Sequence, residues 1–128
     1  MSSKLQIQIA GLMGLLAVVC GAFGAHSLKP MLDEASLQNW DTASRYQFYH
    51  ALAILIVALL SKGMNSKLLE RSALFFLLGI IFFSGSLYLL SVRSLVSFNL
   101  LWLGPITPIG GLFFILGWFS LILSQKKN

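Results

Sequence analysis

Four long apolar stretches divide the chain, with short polar segments between them. Leu5 to Ala25 carries no charge and has two glutamines near its start. Ala43 to Ser61 holds Arg45 as its only charge, with His50 deeper in the run, and Ser72 to Val92 has no charge at all. The fourth run, Ser94 to Gln125, is charge-free and longer than a straight crossing needs. A hydrocarbon core of roughly 30 Å takes about 20 residues of helix. Helix is also the form that satisfies its own backbone polar groups where no water can. The pattern therefore predicts an all-α fold, an integral membrane four-helix bundle with spans at about 5–25, 43–61, 72–92 and 100–123, in a single domain covering 1–128.

The polar segments refine this. The loop from His26 to Thr42 reads as a short external interfacial helix opened by Pro30, with Met31, Leu32, Ala35, Leu37 and Trp40 as apolar anchors. The fourth run contains Gly104-Pro-Ile-Thr-Pro-Ile-Gly-Gly111. Proline lacks the amide that a helix interior needs, so Pro105 and Pro108 mark a start or a break. Thr107 suits an N-cap and Pro108 a first helical residue. Two readings of this start remain open: a plain span whose first turn sits at the interface, or a helix that begins late behind an irregular stretch from Asn99 to Ile106. The first run has a basic flank, Lys4, and small residues near its end like a signal peptide, but its apolar length fits an uncleaved crossing better.

Helices in a bilayer associate where small residues let backbones approach. Ala10, Gly14, Ala17, Gly21, Gly24 and Ala25 lie within an arc of about 100° on the first span. Ser72, Gly79 and Ser86, then Gly110, Gly117 and Ser124, repeat at heptad spacing on the third and fourth, a period suited to left-handed crossings. The phenylalanines of these spans read as filling or lipid-facing groups.

Chemistry concentrates in Trp40-Asp-Thr-Ala-Ser-Arg-Tyr-Gln-Phe-Tyr-His-Ala-Leu52. As helix, Thr42, Arg45, Tyr46, Tyr49 and His50 share an arc of about 140°, and His50 lies roughly 7.5 Å deeper than Arg45. A titratable group at that depth is costly unless it faces protein or water, which makes it a functional candidate. His26, Ser91, Tyr88 and Thr107 fall near the same end of the spans. The plainer reading has Arg45 snorkelling, the tyrosines in an aromatic belt and His50 as a neutral imidazole satisfied by a neighbouring helix.

Composition agrees with a membrane chain: of 128 residues, 57% are hydrophobic and only 10% charged, so the surplus must face lipid. The net charge of +5 is scattered and forms no dense basic face with interleaved aromatics, which argues against nucleic acid. With four spans, both termini share a side with Lys4, Lys62, Lys67, Arg71, Lys126 and Lys127, against Lys29, Arg45 and Arg93 opposite. That excess places the termini in the cytoplasm. The lone Cys20 sits in an apolar run and reads as a packing residue.

Four ordered blocks carry a resemblance: Gly21-Ala-Phe-Gly-Ala-His26, the Tyr-His-Ala-Leu core of Tyr46 to Leu52, Phe83-Ser-Gly-Ser-Leu-Tyr88, and Thr107-Pro-Ile-Gly-Gly111. They resemble the signature of a family of small multi-pass inner-membrane proteins, domain of unknown function 423, similar to eukaryotic transmembrane protein 256. The resemblance covers nearly the whole chain. It implies a four-span protein of bacterial plasma membranes and transfers no activity or catalytic residue.

The functional expectation is a small solute or ion transport or permeation element, in which Arg45 attracts an anion or polar solute, His50 and His26 titrate, and Tyr46 and Thr107 donate hydrogen bonds. All four acids, Asp33, Glu34, Asp41 and Glu70, fall outside the spans, so a buried carboxylate for cation export is missing. The alternative is a non-catalytic membrane partner or assembly subunit that docks a protein or lipid. A membrane enzyme ranks last, since no metal-spaced ligand set or activated serine is present. No metal and no cofactor are expected; the expected partners are membrane lipids, a further copy of the chain, or another membrane protein.

Overall fold

A computed structural model describes residues 1–64 and 66–125, so Lys126 and Lys127, both used in the charge count, lie outside the described residues. Four helical stretches are long and apolar enough to cross a membrane: Ser3–Leu28, Glu34–Leu60, Lys67–Ser91 and Leu101–Ser124. They form an all-α membrane bundle. The first stretch is α1 (Ser3–Phe23) continued by a wide π-helical turn (Gly24–Leu28), and the second is α2 (Glu34–Leu60). The third is interrupted: α3 (Lys67–Gly79), a π-helical turn (Ile80–Ser84), then α4 (Gly85–Ser91). The fourth begins with one 3-10 turn (Leu101–Leu103) and continues as α5 (Ile106–Ser124). We call the end carrying the N-terminus and the α2–α3 turn basal, and the opposite end apical.

Two expectations change in detail. The segment before the second span is not a separate interfacial helix opened by Pro30. Pro30 lies in a turn, Asp33 takes the N-cap, and α2 runs unbroken from Glu34, so Ala35, Leu37 and Trp40 belong to the first turns of the span itself. The Asp33 carboxylate accepts the Ser36 amide at 2.7 Å, which satisfies one of the donors that a helix start leaves open. That backbone bond, with the Ser36 hydroxyl, holds the Asp33 carboxyl below its ordinary range. A depressed carboxyl supports the cap wherever it is ionised, so the cap persists at neutral pH and fails only as pH falls through the lowered value. The Ser36 amide resonance is expected to move with that acid transition, below the titration of an uncapped aspartate, and Asp33→Asn is expected to abolish the movement.

The fourth helix also starts earlier than Thr107 and Pro108 suggest. Pro105 is the cap residue and Pro108 the third helical residue, inside the first turn, where a missing amide costs no intrahelical bond. Thr107 caps nothing; its hydroxyl bonds Ser86 at 2.6 Å and ties the fourth span to the third.

Packing is sequential. α1 lies along α2, α2 along α3 and α4, and α3 with its π-helical turn along α5. The basal half is filled by a cluster including Ala10, Ile54, Val57, Leu69, Ala73 and Phe76. The third and fourth spans interlock by phenylalanine against glycine. A Cβ on Gly79 would strike the Phe114 ring, one on Gly117 the Phe76 ring, and one on Gly110 the backbone at Phe82 and Phe83. Ser72 donates to the Gly117 carbonyl at 2.8 Å within the same seam. Two phenylalanines, Phe114 and Phe76, therefore serve as knobs for glycine holes, and Gly110 admits the main chain of the third span, with the glycines at the heptad spacing read from sequence. The stripe on the first span is less uniform. Ala10, Ala17 and Gly24 are buried, Gly24 under the Trp40 indole, and Gly21 sits over Ser44, whereas Gly14 has open space beside it and Ala25 is exposed.

Candidate functional site

On α2 the positions Ala43, Gln47, His50, Ile54 and Val57 repeat at spacings of four and three and are all buried. This heptad faces the rest of the bundle, so it places His50 inward from α2. The ring bonds at both nitrogens. Nδ1 lies 2.7 Å from the Tyr46 carbonyl, and Trp118 donates its indole N–H to Nε2 at 3.2 Å. The indole has only a proton to give, so Nε2 must be bare and Nδ1 carries the hydrogen to Tyr46. The imidazole is thus held as one neutral tautomer, and a proton on Nε2 would oppose the indole N–H. One face of the ring stacks on Phe114, with centroids 3.6 Å apart and planes within 10°.

Above this stack lies a groove of about 850 Å³ between the second and fourth spans. Tyr46, Tyr49 and His50 form one wall, Leu112, Ile115 and Trp118 the other, and Phe83 and Phe114 line it as well. Tyr49, Leu112, Ile115 and Trp118 are exposed on the bundle exterior, so the groove opens sideways. Tyr46 packs against Phe83 at 4.9 Å between centroids. Pro108 and Gly111 complete the α5 side.

Only part of the sequence-derived site converges here. Tyr46, Tyr49, His50 and Pro108 do. Arg45 does not: it pairs with Asp41 at 2.7 Å, with 63% of its side chain exposed, and lies by a separate hollow beside α1 shared with Ala17, Val18 and Phe48. His26 is exposed in the turn after α1, and Thr42 is half-buried; neither lines the groove. The physical reason is angular. An arc of about 140° on a helix of this radius has edges that meet different neighbours, and here α1 lies toward the Arg45 edge while α5 faces the His50 edge.

Gln47 lies off the polar arc of α2 that the sequence marks, yet it is bonded at both ends of its amide. Its amide N–H donates to the Met13 carbonyl at 2.9 Å, and its oxygen accepts from the Tyr88 hydroxyl at 2.9 Å. One side chain therefore joins the first, second and third spans. Trp40 adds a parallel tie, donating to the Cys20 carbonyl at 2.7 Å and meeting the Tyr88 ring edge-on at 4.6 Å. A signal existed: Gln47 lies on the same stripe as the small residues Ala43 and Ala51, where a large polar group is tolerated only if bonded.

Fold and site together define a four-span helical membrane protein with a lateral aromatic groove and an internally bonded polar layer. The chain belongs to the family described as "Protein of unknown function (DUF423)", whose profile matches residues 20–111. It is 44% identical over 124 residues to a UPF0382 membrane protein of Staphylococcus aureus, covering 97% of each chain. It is 39% identical to the UPF0382 membrane protein YwdK of Bacillus subtilis, over 97% of this chain and 98% of that one. A UPF0382 membrane protein of Haemophilus influenzae is also 39% identical, over 95% and 94%. No solved structure matches the chain.

Proposed function

We propose that this chain is a non-catalytic membrane protein that binds a hydrophobic, ligand-sized molecule entering sideways from the bilayer into the groove between the second and fourth spans. The observation that carries this reading is the groove itself, about 850 Å³ with aromatic walls and a mouth on the bundle exterior. Its size lies within the range of ligand sites, and its few polar groups suit orientation more than conduction. The transport reading loses support because it needs Arg45 and His50 to act on one solute. Arg45 is engaged with Asp41 away from the groove, and both ring nitrogens of His50 are already bonded. In this reading the protein sits in the bacterial plasma membrane with its termini cytoplasmic, as the Lys and Arg excess at the basal end favours.

Gly111→Trp tests the proposal. Gly111 lines the groove, and a Cβ there would meet only the Phe83 ring at an ordinary 3.8 Å, so an indole has room to grow into the opening. The full chain is extracted in native nanodiscs and its bound molecules are identified by mass spectrometry. The wild-type protein is expected to carry a recurring apolar molecule that the variant loses by about tenfold or more, with helix content unchanged. An identical set of bound molecules on both proteins would overturn the groove as a binding site.

A further inference from the structure

The basal end carries a second site, independent of the groove. Lys67 and Arg71 stand one turn apart on α3 and therefore on one face. Both line a hollow of about 300 Å³ with Met1, Glu70 and Leu74. Among the described residues neither cation is in an ion pair. The carboxylate of the hollow, Glu70, is engaged instead with the terminal amine of Met1 at 3.7 Å. The two side-chain cations thus face an opening in which the local acid is already partnered, and the balance in the hollow is positive.

The site lies where the charged first turn of α3 gives way to the apolar run from Ser72. Arg71 is followed at helical spacing by Leu74, which is exposed, and Leu78, which is half-buried. Cations at the rim with an apolar track leading into the membrane match an amphiphile with an anionic head. They do not match a soluble anion, which would gain nothing from Leu74 and Leu78. Basic pockets between spans on the cytoplasmic side bind acidic lipid headgroups through this combination. We infer that the hollow at Lys67 and Arg71 binds the phosphate headgroup of an acidic phospholipid, with an acyl chain along Leu74 and Leu78. Arg71 supplies a forked donor set for phosphate oxygens and Lys67 a point charge.

The test uses the full chain in mixed micelles, with phosphatidylglycerol as probe and phosphatidylcholine as its zwitterionic control, read by native mass spectrometry. Phosphatidylglycerol is expected to remain bound and phosphatidylcholine to be lost. Lys67→Gln and Arg71→Gln are each expected to weaken phosphatidylglycerol binding about fivefold, and the pair together about thirtyfold. Lys62→Gln, an exposed cation at the same end but outside the hollow, is expected to change it less than twofold. The single variants keep the test decisive should the double variant fold poorly. Equal weakening by Lys62→Gln would replace the site with diffuse surface attraction, and unchanged binding in both single variants would remove it. Displacement of the lipid by excess inorganic phosphate would reassign the hollow to soluble anions.

Discussion

Gly110→Ala is expected to destabilise the bundle by about 3 kcal/mol, the upper part of the range for forcing a methyl group into a packed seam. The cause is the identity of the neighbour. A Cβ at Gly110 would collide with the main chain at Phe82 and Phe83, within the π-helical turn of the third span. A side chain can rotate away, but a helix backbone can yield only if the two spans separate along their length. At Gly79 and Gly117 the same substitution meets the rings of Phe114 and Phe76, and about 1 to 2 kcal/mol is expected because rings can tilt. Gly14→Ala is the control. Nothing lies near that position, so its effect should stay within about 0.5 kcal/mol. Reversible unfolding in dodecyl sulfate mixed micelles measures all four. If Gly110→Ala proved as mild as Gly14→Ala, the close approach of the third and fourth spans would be wrong.

Gln47→Leu is expected to cost roughly 2 kcal/mol, although leucine is the more apolar residue. Hydrogen bonds inside membranes are individually modest, averaging below about 1 kcal/mol, because a polar group released from one partner finds another. Gln47 differs in serving two spans at once, bonding the Met13 carbonyl and the Tyr88 hydroxyl. Its loss frees the first span from the second at that level and strands a half-buried phenol. A double-mutant cycle isolates the second part. Tyr88→Phe in the Gln47→Leu background removes the stranded hydroxyl, so the pair should be about 1 kcal/mol less damaging than the sum of the single changes. Strict additivity would mean that the Gln47 to Tyr88 bond does not form in the membrane.

The two substitutions describe how this protein is held. The third and fourth spans are joined by shape, with phenylalanine knobs over glycine holes and serine bonds at Ser72 and Ser86. The first and second spans are joined by side chains reaching carbonyls, Gln47 to Met13 and Trp40 to Cys20, and the third is tied to them by the Tyr88 hydroxyl on Gln47. The groove lies where the second and fourth spans meet through long side chains, with the His50 ring, Phe114 and Trp118 bridging the gap. A lateral opening at that position follows from sequential packing, because the second and fourth spans are each already committed to the third.

The amino-acid sequence by itself determined the number of spans, the helical class and two heptad rows of small residues, one with Gly79 on the third span and one with Gly110 and Gly117 on the fourth. These follow from local rules: an apolar backbone in lipid must bond internally, and residues seven apart return to one face whatever surrounds them. It also singled out a polar face on the second span, three of whose residues, Tyr46, Tyr49 and His50, line the groove. Which edge of that polar face met which neighbour was decided by tertiary structure. Arg45 and His50 fit one arc on a helical projection, but α1 takes one side of α2 and α5 the other, and no periodicity within α2 encodes where those helices lie. The same holds for Gln47, whose partners are 34 and 41 residues away. Thr107 has the composition of an N-cap but bonds Ser86 instead, because in the folded bundle a hydroxyl on the third span stands within reach.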